Sequence, residues 1–123
     1  KKTRVSPPIE ALRIYHNSGV IPFEFNFGSN ELYIESVRRC AEMGYTEIQF
    51  TDAIDSLDIQ FIRNTKESYR LDLYGFELMN SQPGISYNSI GINGAGLYTY
   101  LDNEFFLRDL KQSPPDFFAF SVG

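Results

Sequence analysis

Short runs of alternating apolar and other residues dominate the first part of the chain. Leu12 and Ile14 alternate with residues that can face solvent. After a polar connection that contains a glycine, Phe23 and Phe25 alternate with polar residues in the same way. Successive side chains of a strand point to opposite faces of a sheet, so this period is typical of strands with one buried face. The two runs predict a β-hairpin, and Pro22, which has no N–H, predicts a free edge near the start of its second strand.

Residues 30–43 have the spacing of a helix. One apolar stripe recurs at helical intervals and faces a row of charged residues, and its members are Tyr33, Ile34, Val37, Cys40 and Ala41. Ser29 or Asn30 can supply the N-cap, and Gly44 can end the helix. The pattern therefore predicts a helix over residues 30–43 that packs on a strand at residues 46–51.

The strand at residues 46–51 alternates cleanly, with Ile48 and Phe50 on its inner face. Residues 52–65 fit two structures, because their apolar positions have helical spacing while residues 57–61 also alternate like a strand. We expect the helix, since a second strand so close would need a tight turn with glycine or Asn-Gly, and the sequence has none there.

The second half of the chain is predicted to continue with mixed elements. Residues 69–78 alternate and change face at Gly75, as a β-bulge would cause. The later pattern predicts a hairpin with strands at 90–92 and 97–100, a short helix at 102–110 and a terminal strand at 117–122.

These elements together predict an α+β fold. We expect one mostly antiparallel sheet with about two to three helices packed on one face, in the order ββαβ(α)β followed by ββαβ. A chain of 123 residues has the size of one domain, so residues 9–123 are predicted to share a single core after a flexible N-terminal linker at residues 1–8. Because the chain begins with Lys1 rather than Met, we expect it to be either a fragment of a larger protein or a processed product.

Charge and composition narrow the classes of partner. The net charge is −5, the pI is about 4.8, and basic residues form nothing longer than a doublet. A nucleic-acid-binding protein needs a basic surface to neutralise phosphates, so we expect no nucleic-acid partner and favour a protein partner. No apolar run is long enough to span a membrane. The single cysteine, Cys40, cannot form an internal disulfide, which favours a reducing, intracellular or cytoplasmic location.

Catalytic and cofactor motifs are scarce in the sequence. One histidine, His16, and one cysteine, Cys40, leave few ways to build a nucleophilic or metal site. We expect His16 to lie in the turn after the first strand, without a catalytic role, and Cys40 to be a small buried apolar residue. The cluster of Gly91, Gly94 and Gly96 precedes a strand-like run rather than a helix, so it predicts a turn and not a phosphate loop. No cofactor is therefore expected.

One acidic cluster supports an alternative function. Asp52, Asp55 and Asp58 would share one face of a helix, and with Glu47 they could hold a divalent metal for a phosphohydrolase or nuclease reaction. The simpler interpretation is that Asp52 caps the helix and the others form its solvated face.

Aromatic residues support the function that we favour. They make up 15% of the chain, and a domain of this size does not bury so many rings completely. We expect a non-catalytic protein–protein interaction module with an adaptor, regulatory or inhibitor-like role and an unassigned oligomeric state. Its predicted contact residues are Phe23, Phe25, Tyr87, Tyr98 and Tyr100.

The stretch from Ile34 to Leu78 combines a predicted helix with two short sequence motifs. Its elements are the helix predicted from Ile34 onward, the motif Gly-Tyr-x-x-Ile-x-Phe at 44–50 and the motif Leu-x-Leu-x-Gly-Phe at 71–76. In this order of elements, the stretch resembles accessory α/β domains of conjugative relaxases and the βα units of several repeat proteins. The resemblance covers less than half of the chain and carries no functional residue, so it implies no activity.

Overall fold

The computed structural model describes residues 7–19, 23–64, 70–89 and 96–119. The chain divides into two compact units, Lys1–Pro83 and Gly84–Gly123. The first unit holds every strand of the described residues, and the second holds two short helices. The predicted α+β class with a mostly antiparallel sheet is confirmed, whereas the prediction of a single domain over residues 9–123 stays a prediction.

Six strands and one short helix form the described part of the first unit. They are β1 (Ile9–His16), β2 (Phe23–Asn26), a 3₁₀ helix (Gly28–Tyr33), β3 (Ile34–Cys40), β4 (Tyr45–Ile54), β5 (Gln60–Arg63) and β6 (Leu73–Met79). A four-stranded sheet has the order β3-β4-β1-β6, and β2 pairs with β5 in a separate two-stranded sheet. All of these pairs are antiparallel.

The four-stranded sheet has one apolar face, which we call the core face. It carries Leu12 and Ile14 from β1 and Ile48 and Phe50 from β4, all of them buried. Phe27 completes this cluster, and partly buried apolar residues pack against it, namely Phe25, Ile34, Leu57 and Ile59. The inner face predicted for residues 46–51 is therefore confirmed.

The predicted hairpin of the first two strands is wrong in its pairing. Both strands exist, but β1 lies between β4 and β6, while β2 pairs with β5. Local alternation identifies strands with one buried face, but it does not say which strands become neighbours. Pro22 lies outside the described residues.

The predicted helix over residues 30–43 is also wrong. A 3₁₀ helix ends at Tyr33, and β3 follows and pairs with β4. Gly44 closes the turn between these strands with φ +71°, and an added Cβ would lie 2.6 Å from the His16 carbonyl oxygen. Cross-strand pairing with β4 outweighs the helical spacing of the apolar residues, because sheet contacts override local propensity. The resemblance built on that helix loses its first element.

The prediction for residues 52–65 was wrong in favouring a helix. β4 continues to Ile54 and β5 occupies Gln60–Arg63, so the strand alternative is the better description. The irregularity expected at Gly75 is confirmed, since the register of β6 against β1 shifts between Gly75 and Leu73.

The second unit contains α1 (Leu97–Leu101) and α2 (Phe106–Gln112). The strand predicted at 97–100 is therefore wrong, while α2 overlaps the helix predicted at 102–110 and ends before Pro114. Residues 117–119 are not in a strand. Residues 90–95 and 120–122, on which the rest of the predicted hairpin and terminal strand fall, lie outside the described residues, as do residues 1–6 of the predicted linker.

Candidate interaction site

The outer strand β6 presents apolar side chains that the sheet does not bury. The register places Phe76 beside Ile14 and Leu78 beside Leu12, so both belong to the core face. Ile14 and Leu12 are 0% exposed, whereas Phe76 is 47% and Leu78 56% exposed. The apolar face of the sheet therefore continues beyond its buried part to this edge.

An apolar groove runs along the inner side of these two residues. It has a volume of about 530 Å³ and lies between β6 and the segment that follows β4. Its principal apolar walls are Pro8, Ile9, Leu57, Ile59, Phe76 and Leu78. We call this feature the edge groove. Asp55 and Asn80 add polar atoms to its lining.

A buried amide fixes one wall of the edge groove. The Asn30 side chain donates a hydrogen bond from Nδ2 to the Ser56 carbonyl oxygen at 3.1 Å and accepts one at Oδ1 from the Asp58 N–H at 3.2 Å. The two bonds hold the backbone on either side of Leu57, and the Leu57 side chain lines the groove. The sequence indicates Asn30 only as a helix cap, because nothing local predicts a bond to a residue so distant in the chain.

The opposite edge of the sheet has a different character. β3 carries exposed charged side chains at Glu35, Arg38 and Arg39. β6 carries a single charge, Glu77, and its carboxylate is bonded inward to β1. Charged residues on an edge strand oppose pairing with another chain, so β6 is the edge of this sheet that is better suited to pairing.

A row of alternating charges crosses the other face of the sheet. Arg38, Glu47, Arg13 and Glu77 occupy adjacent positions on four neighbouring strands. Arg13 Nη2 lies 2.7 Å from Glu47 Oε2, and Arg38 Nη2 lies 3.1 Å from Glu47 Oε1. The Tyr15 hydroxyl donates to Glu77 Oε2 at 2.7 Å, which holds that carboxylate toward the sheet.

These contacts change the acidity of three groups. The hydrogen bond from Arg13 lowers the pKa of Glu47, so the carboxylate form is favoured. Burial raises the pKa of Tyr15 above its ordinary value, and the bond to Glu77 raises it further. Burial opposes the charge of Arg13, but hydrogen bonds to Tyr15 and Glu47 outweigh this effect and raise its pKa. The row is a network of opposite charges that joins four neighbouring strands.

The single histidine is part of the core. His16 is buried, its Nδ1 lies 2.8 Å from the Asn17 carbonyl oxygen and its Nε2 lies 3.0 Å from Thr46 Oγ1. The carbonyl can only accept, so Nδ1 carries a proton and donates it to this bond. Both ring nitrogens have a partner in this arrangement. The predicted turn position of His16 is wrong, because His16 is the last residue of β1 and is buried. Cys40 is half-buried at the end of β3.

The predicted contact residues fall into both units. Phe23 and Phe25 lie on β2, where Phe25 packs against the core and its ring centroid lies 5.5 Å from that of Phe61. In the second unit, Tyr87 and Tyr98 are exposed and Tyr100 contacts Phe106 at 5.7 Å between ring centroids. Their role in binding stays a prediction.

The three aspartates of the metal alternative are all exposed. Asp52 lies on β4, and Asp55 and Asp58 lie in the segment between β4 and β5, so helical spacing does not bring them onto one face. Among the residues that the structure describes, no group of three or more acidic, histidine or cysteine side chains could hold a metal. Gly91 and Gly94 of the glycine cluster lie outside that part of the chain. Gly96 directly precedes α1, so the prediction that a strand follows the cluster is wrong.

Phe76 and Leu78 are not among the contact residues predicted from the sequence. Their alternation placed them correctly on one face of a strand. Their exposure depends on β6 being the last strand of the sheet, and strand order is not encoded in local alternation.

Within the described residues, no helix has the length and apolar character needed to cross a membrane. Comparisons with protein-family models, with curated proteins and with solved structures give no match.

Proposed function

We propose that this chain is a non-catalytic protein–protein interaction module that binds through the β6 edge and the edge groove. The observation that carries the proposal is the pair Phe76 and Leu78, which lie beside fully buried core residues and are themselves about half exposed. These side chains extend the apolar core to an open strand edge. Burying such exposed apolar surface favours association with a partner.

The chemistry of an edge strand explains how binding would occur. Among the described residues no strand pairs with the outer side of β6, so its outward N–H and C=O groups are available to a further strand. Main-chain hydrogen bonds to that strand would supply affinity. Side chains of the added strand on the core-face side would contact Phe76 and Leu78, which supplies the apolar part of the interface.

The metal-dependent phosphohydrolase alternative has no observation in its favour. The aspartates on which it depends do not form a cluster in the described part of the chain. We retain an intracellular location within the proposal, because Cys40 offers no internal disulfide.

Site-specific photo-crosslinking tests this function. A photoreactive phenylalanine derivative replaces Leu78 in the full chain, which is expressed in cells of its own organism and irradiated before lysis. We expect a discrete covalent adduct with a protein chain at this position, identified by mass spectrometry of the cross-linked peptides.

The matched control carries the same photoreactive residue at Val37, an exposed apolar position of the opposite edge strand β3. A further variant carries it at Tyr98, one of the predicted aromatic contacts in the second unit. Adducts at position 78 and not at position 37 support the proposal. Adducts at position 98 alone, or none at position 78, contradict binding at the β6 edge.

A further inference from the structure

We propose that the partner at the β6 edge is an extended segment of another protein, with an arginine or lysine opposite Glu77 and an apolar residue on either side of it. This inference rests on the proposed function and names the chemistry of its partner. It follows from the charge row, by which we mean Arg38, Glu47, Arg13 and Glu77 in that order across the sheet. The charge row lies on the face opposite the core face and reaches the open edge with a carboxylate.

The regular part of β6 limits where a further strand can pair. The register of β6 against β1 is continuous from Gly75 to Met79, and it shifts only on the N-terminal side of Gly75. Phe76, Glu77 and Leu78 lie inside the continuous stretch. A strand added along this stretch brings one residue opposite each of these three, and its side chains alternate between the two faces of the sheet as those of β6 do.

The pairing of β1 with β6 shows which side chains suit this stretch. On the inner side of β6, Arg13 lies opposite Glu77. The neighbours of this arginine, Leu12 and Ile14, lie opposite Leu78 and Phe76. The outer side of β6 offers the same three side chains to a further strand. A partner with apolar, basic and apolar residues in succession would therefore repeat on the outer side the contacts that β1 makes on the inner side.

The charge row alternates in sign across the sheet and ends in a negative charge. Glu47 lies between two arginines, and each of them binds a different oxygen of its carboxylate. Arg38 Nη2 lies 3.1 Å from Oε1, and Arg13 Nη2 lies 2.7 Å from Oε2. Glu77 has Arg13 on its inner side and the open edge of the sheet on its outer side. A basic residue on an added strand would give Glu77 the second cation that Glu47 already has.

The Glu77 carboxylate keeps one oxygen available to that cation. It accepts from the Tyr15 hydroxyl at 2.7 Å and from Arg13 Nη1 at 3.4 Å, and both contacts are made by Oε2. In the part of the chain that the structure describes, nothing bonds to Oε1. The Glu77 side chain is also 33% exposed, against 12% for that of Glu47. An added arginine or lysine would therefore reach a carboxylate that is incompletely paired and accessible.

Charge and burial disfavour other residues in these positions. An acidic residue opposite Glu77 would be unfavourable, because like charges directly opposite each other destabilise a pair of strands. The net charge of −5 adds a general repulsion of acidic segments. The two residues that flank the basic one would lie on the core-face side, beside Phe76 and Leu78. Apolar side chains are favoured there because they bury the exposed surface of both residues.

Peptide titrations measure the preference for a basic residue. Two synthetic peptides with blocked ends, Thr-Leu-Arg-Ile-Thr and Thr-Leu-Gln-Ile-Thr, differ at their central position. Each is titrated into the full chain while the backbone amide signals are recorded by NMR. We expect the signals of residues 75–79 to shift. The arginine peptide should bind about two- to fivefold more tightly than the glutamine peptide, as a cross-strand pair of opposite charges implies.

Two variants of the chain assign this preference to one carboxylate. Glu77→Gln removes the charge and should bind both peptides with equal affinity. Glu35→Gln is the matched control, because it removes the same charge from an exposed position of β3, and it should keep the preference. Equal loss of the preference in both variants would assign it to the net charge of the chain and overturn the inference. The comparison of the two peptides on the wild-type chain holds even if Glu77→Gln is less stable.

A zero-length cross-link reports the position of the basic residue. The peptide Thr-Leu-Lys-Ile-Thr, again with blocked ends, is mixed with the full chain and a water-soluble carbodiimide. The lysine amine and a carboxylate in contact with it then form an amide, and the reagent takes up the water that is lost. We expect mass spectrometry to locate this amide at Glu77. Coupling to other carboxylates without coupling to Glu77 would overturn the inference.

The outcomes separate this inference from the proposed function. The photo-crosslink from position 78 identifies the partner's segment, and a basic residue between two apolar residues in that segment supports the inference. A segment without a basic residue, or equal affinity of the wild-type chain for the arginine and glutamine peptides, overturns it. An adduct at position 78 then leaves the interaction function intact. No adduct at position 78, together with no shift at residues 75–79 for any peptide, overturns both.

Discussion

Buried polar side chains of the first unit each bond to groups distant in the chain. Asn30 holds the segment after β4 through the Ser56 carbonyl and the Asp58 N–H, and His16 shares a hydrogen bond with the Thr46 hydroxyl. A buried polar group costs free energy when it loses its partner, so each of these residues fixes one arrangement of the backbone around it. The sequence shows the residue types but not these partners.

Replacement of Asn30 by Ala should loosen the wall of the edge groove. The variant loses both hydrogen bonds that hold Ser56 and Asp58, and we expect the free energy of unfolding to fall by about 1 to 3 kcal/mol. Urea denaturation measures this loss. Amide hydrogen exchange should rise at Leu57 and Asp58 more than elsewhere in the chain. Ser29→Ala, an exposed neighbour in the same 3₁₀ helix, serves as the control and should change neither. Equal effects of both variants would contradict the role given to Asn30.

Glu47 should make the stability of the chain dependent on acidic pH. The bond from Arg13 lowers the pKa of Glu47 in the folded chain, so its contribution is present above the pKa of the unfolded chain and is lost as pH falls through the folded value. Glu47→Gln should therefore be less stable than the wild type by about 1 to 3 kcal/mol at neutral pH. This difference should shrink as the pH falls below the ordinary glutamate range.

Urea denaturation at a series of pH values measures that difference. Glu35→Gln, at an exposed position of β3, is the control and should show no comparable trend. A difference between Glu47→Gln and the wild type that stays constant from neutral to strongly acidic pH would assign the loss to packing and not to charge.

At the level of elements, local alternation predicted β1, β2, β4 and β6 but not their partners, and it missed β3 and β5. β1, β4 and β6 each follow an alternating run, and the inward positions of β4 were identified correctly. The order of strands in the sheet depends on contacts between distant residues, so neither the pairing of β2 with β5 nor the exposed edge of β6 follows from these runs. The candidate site depends on that order, which is why its residues were missed.

β3 shows how a strand can have the spacing of a helix. Its apolar positions recur at helical intervals, and Arg38 has an acidic residue four positions later, Glu42, that would pair with it on a helix. In the fold Arg38 bonds across the sheet to Glu47 instead. A short segment with few apolar residues fits both the helical period of 3.6 and the strand period of 2. Its pairing with a neighbouring strand then favours the strand.

Gly44 should be essential to the hairpin that β3 and β4 form. Its φ of +71° is unfavourable for residues with a Cβ, and the added atom would lie 2.6 Å from the His16 carbonyl oxygen, which is backbone and cannot move aside cheaply. We expect Gly44→Ala to lower the free energy of unfolding by about 1 to 3 kcal/mol, or more if the turn must shift. Thermal and urea denaturation measure the effect.

Gly75→Ala provides the matched control, because Gly75 lies in β6 and a Cβ there would meet nothing within 4 Å. We expect its stability to equal or exceed that of the wild type, since alanine restricts the unfolded chain. Equal losses in the two variants would show that glycine is needed for a reason other than the left-handed conformation of Gly44.

At the scale of the whole molecule, burial is unevenly distributed along the chain. Every described apolar side chain that is buried lies between Ile9 and Ile54, within the first unit. The helices α1 and α2 of the second unit have no buried residue. Helices this short are not stable in isolation without packing, so the cooperative stability of the chain should reside in its first unit.

A fragment comprising residues 1–83 should therefore unfold like the full chain. It contains both sheets and the whole core cluster, so we expect its free energy of unfolding to lie within about 1 kcal/mol of that of the full chain. Its urea m-value should also match, because the m-value scales with the surface exposed in the cooperative transition. A fragment comprising residues 84–123 should show no cooperative transition. A clearly smaller m-value or a large loss of stability in the 1–83 fragment would instead support one cooperative domain over residues 9–123, in which the second unit contributes to folding.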